Sequence, residues 1–244
     1  DEFVGFQLLK EKFDILSNLE KIPGICALAD MTDAWIKYGF RFDSMTGQYS
    51  AYEKGLEFIE YIEGKKKMKT NKDYWQKVLI EMMGGQWREQ EYILGYQPQS
   101  TPSFDVGLNY QVGKKWQTKK MPDEMWKELE QKLTGQGFTV SWQEGLGDIY
   151  EYIEWINSCR VLVSQDSLGI HIAIALSKNI VGLYGPTDFN EIYLYDVGTC
   201  IHSPQECQHK PCYMPECLID SPCMEAINLE EVSCAVRELL ENAT

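Results

Sequence analysis

The sequence predicts an α/β protein whose second half is a parallel β-sheet covered by helices. The main observation is a regular alternation of short apolar runs with longer runs of helical periodicity, joined by short connections. Strands are predicted at 105–109, 138–141, 161–164 and 180–184, and helices at 122–135, 147–156 and 170–176. Because parallel strands need crossover helices between them, this order predicts one half of a doubly wound sheet.

The helix predictions rest on apolar spacing and on residues typical of helix ends. Pro122 suits a first helical turn, Trp126, Leu129 and Leu133 share one face, and Gly135 ends the pattern. In the second helix the residues expected to face the sheet are Ile149, Tyr152, Ile153 and Ile156.

The first hundred residues are predicted to form a smaller α/β unit. Their pattern indicates strands at 13–17 and 35–39 and helical segments at 25–29, 51–62 and 72–83. The segment 97–103 is rich in proline and small polar residues, which is typical of a linker. We therefore expect one domain at 1–102 and a second at 103–244, ending in a helix.

The charge balance excludes one class of partner. The chain has 37 acidic and 23 basic residues and a formal net charge of −14, which repels polyanions, so nucleic acid is not an expected partner. No apolar run reaches the roughly 20 residues of a membrane-spanning helix, and the first residues lack a secretory signal. These observations predict a soluble, cytoplasmic protein without a transmembrane segment.

Four of the eight cysteines lie close together in a Pro-rich loop predicted at 200–223. They are Cys207, Cys212, Cys217 and Cys223. A cytoplasmic location favours free thiols, whereas the clustering also fits a metal site, or disulfide or redox pairing. The spacing lacks the paired Cys-x-x-Cys of a zinc ribbon, so we expect no metal site, with these four cysteines as weak candidates for one.

The turn at 164–171 has the features of an anion-binding site, because it lies between a predicted strand and the helix that follows. Free amides at 167–169 and the helix dipole favour a diphosphate there. Asp166 either caps the helix or accepts hydrogen bonds from sugar hydroxyls. His171 either donates to a phosphate or is a packed core histidine.

Three motifs in order indicate a family. Val-Ser-Gln-Asp-Ser-Leu-Gly-Ile-His at 163–171 is followed by Gly-Leu-Tyr-Gly-Pro-Thr-Asp at 182–188. Lys-Lys-Met-Pro-Asp-Glu-Met-Trp at 119–126 is similar to Lys-x-Trp-Pro-x-Glu-x-Trp, with Met121 in place of the first Trp. A cysteine-bearing segment ends in Cys-Met-Glu-Ala-Ile at 223–227. Together these motifs resemble the ADP-heptose:lipopolysaccharide heptosyltransferases, family 9 of the glycosyltransferases.

The resemblance implies a GT-B-like fold, in which two Rossmann-like domains with parallel sheets face a cleft and the C-terminal domain binds the donor nucleotide. It implies an inverting, metal-independent enzyme without a cofactor. Such an enzyme transfers a heptose or similar sugar from a nucleoside-diphosphate sugar, expected to be ADP-heptose, to a lipopolysaccharide or other glycan or lipid-linked acceptor. The expected location is the cytoplasm, including the cytoplasmic face of the inner membrane.

The resemblance also assigns roles by position. Lys119 is expected to pair with the diphosphate, Asp166 to hold the sugar, and Thr187 to line the pocket. The full set of expected donor-binding residues is Lys119, Asp166, Ser167, Leu168, Gly169, His171, Gly185, Pro186 and Thr187.

Two departures from the family pattern affect these expectations. The family usually has Gly directly after Asp-Ser, whereas this chain has Leu168 and then Gly169. The family also begins with a strand, a glycine-rich loop and an acidic base, for which we find no equivalent, so the N-terminal domain is expected to be incomplete and the catalytic residue is unassigned.

Two alternatives remain open. One is a non-catalytic nucleotide-sugar-binding or assembly module that keeps the phosphate turn, and the other is a metal-binding cysteine module on a Rossmann scaffold.

Overall fold

The computed structural model describes residues 2–59, 74–145 and 147–242. The chain divides into two compact units, one of residues 1–90 with 190–193, and the other of residues 91–189 with 194–244. A functional domain boundary after residue 102 stays a prediction. Among the described helices, none combines the length and the apolar content needed to cross a bilayer.

The first unit is a small three-stranded sheet with helices beside it. Its elements are α1 (Glu2–Leu8), β1 (Lys12–Asn18), α2 (Pro23–Met31), β2 (Asp33–Asp43), β3 (Gln48–Ala51), a 3-10 helix (Glu53–Phe58) and α3 (Trp75–Met82). β1 runs parallel to β2, and β3 runs antiparallel to it. The buried cluster of this unit contains Cys26, Phe40, Val78 and Met82.

The predicted strands at 13–17 and 35–39 and the helix at 25–29 are confirmed. The helix predicted from residue 51 is wrong at its start, because Ala51 pairs with Phe40 in β3 and a 3-10 helix follows. Positions 60–62 and 72–73 of the predicted helices lie outside the described residues. β3 was not predicted because four residues, of which only Ala51 is buried, give no apolar alternation.

The second unit is a five-stranded, fully parallel sheet with helices between its strands. Its strands are β4 (Phe104–Asn109), β5 (Val140–Trp142), β6 (Cys159–Gln165), β7 (Asn179–Tyr184) and β8 (Gly198–His202). Its helices are α4 (Asp123–Gly135), α5 (Ile149–Asn157), α6 (Leu168–Ala175) and α7 (Leu229–Asn242). The strand order β5-β4-β6-β7-β8 reverses direction at β4, so a crevice is expected beyond the ends of β4 and β6.

The main core lies between this sheet and helices α4 and α7. It combines strand residues with the predicted apolar face of α4, and its fully buried members include Val106, Leu108, Trp126, Leu129, Leu133, Val161, Val163, Val181, Val232 and Val236. α6 differs from the other helices because nearly all of its residues are apolar and five of its eight residues are buried, which is typical of an interior helix, although Leu168 at its start is exposed.

One prediction in this unit is wrong, and two features of it were not predicted. Ile149 is 46% exposed, whereas Trp155, which was not predicted to face inward, is buried and donates from Nε1 to Ser141 Oγ at 3.0 Å. The reason is that Ile149 is the first helical residue after the Asp148 cap, so its side chain lies before the first packed turn. β8 was not predicted, because Ile201 is its only buried residue.

The predicted linker is attached to α5 through one carboxylate. Glu154 accepts hydrogen bonds from Tyr96 Oη at 2.5 Å, from the Gln99 amide at 2.9 Å and from the Ser100 amide at 2.8 Å. Hydrogen bonding by the Ser100 and Tyr96 side chains and by the Gln99 and Ser100 amides holds the pKa of Glu154 down at about 2; the Ser100 hydroxyl also donates to the Glu154 carbonyl at 2.8 Å.

We expect the attachment of this segment to depend on pH through Glu154. Because the folded pKa lies near 2 and below the ordinary value of 4.5, the stabilisation is present above about pH 4.5 and is lost as the pH falls toward 2. An NMR titration of the side-chain carboxyl should give a midpoint near 2. Glu154→Gln should release residues 96–100 to proteolysis at neutral pH, while Glu151→Gln, at an exposed position of the same helix, should not. A midpoint near 4.5 would contradict the attachment.

Candidate functional site

The candidate site lies where the strand order reverses. Asn109 ends β4 and Gln165 ends β6, and the turn from β6 into α6 starts directly after Gln165. Both side chains are fully buried. Gln165 Nε2 donates to Tyr110 O at 2.7 Å and its Oε1 accepts from the Met121 amide, so it joins this turn to the loop after β4.

Three predicted site residues meet at one carboxylate oxygen. Asp166 Oδ2 accepts from Lys119 Nζ at 2.6 Å and from Thr187 Oγ1 at 2.8 Å. The side chains of Lys119 and Asp166 are 18% and 16% exposed, so the pair is only partly in contact with water. Within the described residues, Oδ1 of Asp166 accepts no hydrogen bond from a side chain, whereas Oδ2 accepts two.

The other lysines of the basic cluster have different neighbours. Lys120 pairs with Asp123 at 2.9 Å at the start of α4. Lys114 is exposed, and Lys115 lies over the Trp116 ring at 5.0 Å. Among these four described lysines, Lys119 is the one in contact with the turn.

The start of α6 is open to a ligand. Ser167 is the N-cap residue, in an extended conformation, and makes no capping hydrogen bond through its side chain. Asp166 therefore does not cap the helix, because its carboxylate is held by Lys119 and Thr187. The amides at the helix start supply partial positive charge, and Lys119 adds a full charge. Leu168, at the first helical position, is 56% exposed.

Gly169 is required by the interior of the protein. A Cβ at this position would overlap the side-chain amide of Asn109 and the hydroxyl of Tyr152. The glycine therefore lets the first turn of α6 lie against β4 and α5.

His171 is packed against an aromatic ring. A hydrogen bond of 2.9 Å joins its Nδ1 to Tyr92 Oη. The two rings are stacked, with their centroids 6.0 Å apart. Burial lowers the pKa of His171, with a smaller opposing effect of Asp166, so the imidazole is neutral at neutral pH. The structure thus favours the packed arrangement over a charged phosphate ligand.

The turn at Gly185, Pro186 and Thr187 is supported by the cysteine loop. A Cβ at Gly185 would overlap Cys223 and Met224. Pro186 O accepts from the amides of Cys212 at 2.8 Å and Tyr213 at 3.2 Å. The loop therefore holds this turn through backbone hydrogen bonds and close packing.

The clustered cysteines are free thiols in the structure. Cys207, Cys212, Cys217 and Cys223 line one cavity together with His209. Burial raises the pKa of Cys223, which favours its protonated form. Among the described residues, no three His, Cys, Asp or Glu side chains converge as a metal-binding group.

The sequence did not identify Asn109, Gln165, Tyr152 and Tyr92 as parts of this site. A signal existed for the first two, because each is a polar residue that closes a buried apolar strand. No comparable signal existed for the aromatic residues, because their contacts are formed by distant parts of the chain.

Comparison with known proteins agrees with the motif at 163–171 and 182–188. Residues 145–221 match the family described as glycosyltransferase family 9 (heptosyltransferase), which confirms the resemblance over that segment. The segment contains Asp166, His171 and Thr187. No curated protein matches the chain.

Several solved structures have a similar fold. A family 9 glycosyltransferase from Veillonella parvula is 16% identical, with a TM-score of 0.64, over 98% of this chain and 77% of that one. The Escherichia coli heptosyltransferase WaaC, solved with ADP, is 14% identical, with a TM-score of 0.61, over 98% of this chain and 76% of that one. The chain thus has the predicted GT-B-like α/β fold.

A third similar structure is the dodecameric, iron-containing glycosyltransferase TibC from enterotoxigenic E. coli. It is 16% identical, with a TM-score of 0.54, over 71% of this chain and 55% of that one. TibC was also solved in complex with ADP-D-beta-D-heptose. The chain therefore spans little more than half the length of TibC.

We expect Gly169→Ala to destabilise the second unit. The added methyl group must displace the buried Asn109 amide or the Tyr152 hydroxyl, so the free energy of unfolding should fall by about 1–3 kcal/mol. Urea denaturation measures this change. Gly113→Ala is the matched control, because nothing lies within 4 Å of the Cβ that it adds. Equal stabilities for the two variants would show that Gly169 is not packed as described.

Substitution of thiols in the cysteine loop should leave the fold intact, because the loop is bound to Pro186 through backbone amides. Cys212→Ser and Cys217→Ser should each change the free energy of unfolding by less than about 0.5 kcal/mol. Elemental analysis of the purified wild-type protein completes the test. Stoichiometric zinc or iron, together with unfolding on chelation, would instead indicate a structural metal site.

Proposed function

We propose that this chain, whose segment 145–221 matches glycosyltransferase family 9, binds the nucleoside-diphosphate sugar donor of a heptosyltransferase at the β6–α6 turn. The observation that carries the proposal is the group formed by Lys119, Asp166 and Thr187 beside the uncapped start of α6. One positive side chain, helix-start amides and one ordered carboxylate are what a ligand with both phosphate and hydroxyl groups requires.

The diphosphate is proposed to lie between Lys119 and the amides of Leu168 and Gly169. Helix-start amides and the helix dipole favour an anion, and partial burial strengthens these interactions relative to water. The −14 charge of the chain opposes anion binding over long distances, so Lys119 supplies local positive charge where it is needed.

The sugar is proposed to bind Asp166 through Oδ1. Because Lys119 and Thr187 both donate to Oδ2, the carboxylate is fixed in orientation and partly neutralised. A carboxylate aimed at the diphosphate would repel it, whereas one that accepts from sugar hydroxyls can select the donor sugar.

The proposed reaction is glycosyl transfer with inversion. The hydroxyl oxygen of a glycan or lipid-linked acceptor forms a bond to the anomeric carbon of the donor sugar, and the hydroxyl loses its proton. The bond between the anomeric carbon and the diphosphate oxygen breaks, and the nucleoside diphosphate leaves. The negative charge that develops on that oxygen is stabilised by Lys119 and the helix-start amides, as preorganised donors do in other enzymes. No residue of this chain is assigned as the general base, and the proposal invokes no divalent cation.

The ligands of similar proteins support ADP as the nucleotide. WaaC was solved with ADP and TibC with an ADP-heptose, and both share the fold of this chain. We therefore take ADP-heptose as the proposed donor, a lipopolysaccharide or other surface glycan as the proposed acceptor, and the cytoplasm or its membrane face as the proposed location.

A non-catalytic donor-binding module is the second candidate. It is favoured by the exposed Leu168, whose side chain stands at the helix start where the family usually has glycine. Donor hydrolysis or transfer by the purified chain distinguishes the two, since a binding module retains ADP-sugar affinity without turnover.

Isothermal titration calorimetry with ADP and ADP-sugars tests the proposed function. Lys119→Ala should lower affinity by about 2–3 kcal/mol, the value of a charge-assisted contact in a partly desolvated site. This loss of affinity includes the repulsion between the diphosphate and the Asp166 carboxylate, which no longer pairs with the Lys119 ammonium group in the variant.

Three matched controls are available in the same loop. Lys114→Ala, Lys115→Ala and Lys120→Ala remove the same charge from residues that do not contact the turn, so each should cost little at equal salt. Equal small losses in all four variants would mean that the lysines form only a solvated basic surface. Absence of ADP binding to the folded wild-type chain would overturn the donor assignment.

A further inference from the structure

We propose that Asn109 is a positioning residue, which directs the hydroxyl proton of Ser167 toward the bound ligand through a buried chain of hydrogen bonds. The inference rests on the proposed function and extends it, because it names the side chains that orient the turn from inside the protein. Asn109 and its partners come from β4, α5, β6 and the N-cap of α6.

The side chain of Asn109 uses its polar atoms on three partners. Its Oδ1 accepts from Tyr152 Oη at 2.7 Å. Its Nδ2 donates to Ser164 Oγ at 2.7 Å and to Ser167 Oγ at 2.9 Å. Asn109 and Ser164 are fully buried, so each of these groups needs its partners within the protein.

A backbone carbonyl fixes which groups donate and which accept in this chain of hydrogen bonds. Ser164 Oγ lies 2.7 Å from Gln165 O. Because a carbonyl oxygen only accepts, the Ser164 hydroxyl donates its one proton to it. Ser164 can then only accept from Asn109, which must present its NH₂ group to both serines. The same orientation leaves Oδ1 for the Tyr152 hydroxyl.

Tyr152 completes the chain as a donor. Burial is the main cause that raises the pKa of Tyr152, so its hydroxyl stays protonated at all physiological pH values. Each member of the chain therefore has one consistent role, and a buried network satisfied in this way holds a single geometry. Gly169 belongs to the same arrangement, since a Cβ there would overlap both Asn109 and Tyr152.

This arrangement determines how the Ser167 hydroxyl can bond. Because Ser167 Oγ accepts from Asn109, its own proton is free to be donated. Among the described residues, its acceptor is Ser164 Oγ at 3.4 Å, a long contact that a diphosphate oxygen readily replaces. A hydroxyl that donates to an anion forms one of the stronger hydrogen bonds in proteins.

A double-mutant cycle on ADP affinity tests this role. Ser167→Ala should weaken ADP binding by about tenfold or more, as the loss of a hydrogen bond to a charged group does. Asn109→Ala should weaken it in the wild-type background and cost nothing further in the Ser167→Ala background, because Asn109 acts through that hydroxyl. Asn109→Ser is the second variant and is used if Asn109→Ala does not fold. The serine side chain at position 109 is too short to reach Ser167, so this variant should also weaken ADP binding.

Asn157→Ala is the matched control. Asn157 also makes partly buried hydrogen bonds, to Ser100, but it ends α5 just before the start of β6, whereas Asn109 lies at the end of β4. It should lower stability and leave ADP affinity unchanged, which separates a positioning role from a loss of packing. ADP affinity of the Asn109 variants within twofold of wild type, or losses that multiply in the double variant, would overturn the inference while the proposed function stands. If the folded wild-type chain does not bind ADP, both are overturned.

Discussion

The parallel pairing of β4 with β6 is the constraint on which the rest of the site depends. It places Asn109 opposite Ser164, at the edge where the strand order reverses. The turn after β6 and the loop after β4 must therefore leave the sheet side by side, and Gln165 links them by bonding to Tyr110 and Met121. Lys119 reaches Asp166 because the two loops are held together in this way.

The sequence was sufficient for those features that depend on local pattern. Alternating apolar runs predicted β4, β6 and β7, and the spacing of Trp126, Leu129 and Leu133 predicted the buried face of α4. Motif order alone brought Lys119, Asp166 and Thr187 into one site, and their contacts are now explicit. Their binding roles remain proposals.

The features that the sequence did not predict depend on contacts between residues that lie far apart in the chain. β8 has one buried side chain and is defined by its pairing with β7, so its own residues carry little strand signal. Tyr152 was expected only to face the sheet, but its hydroxyl also bonds to Asn109, 43 positions away. The reason for Gly169 likewise appears only when α6 lies against β4, since the residues it must avoid belong to other elements.

The interior position of α6 has a consequence for how fast a ligand can bind. Five of the eight residues of this helix are buried, so packing holds the helix in place, and we expect its amides to keep one direction whether or not a ligand is bound. The proposed association of a ligand at this turn would then require no preceding conformational step, and its rate would be set by diffusion and by the opposing charges of Lys119 and the acidic chain.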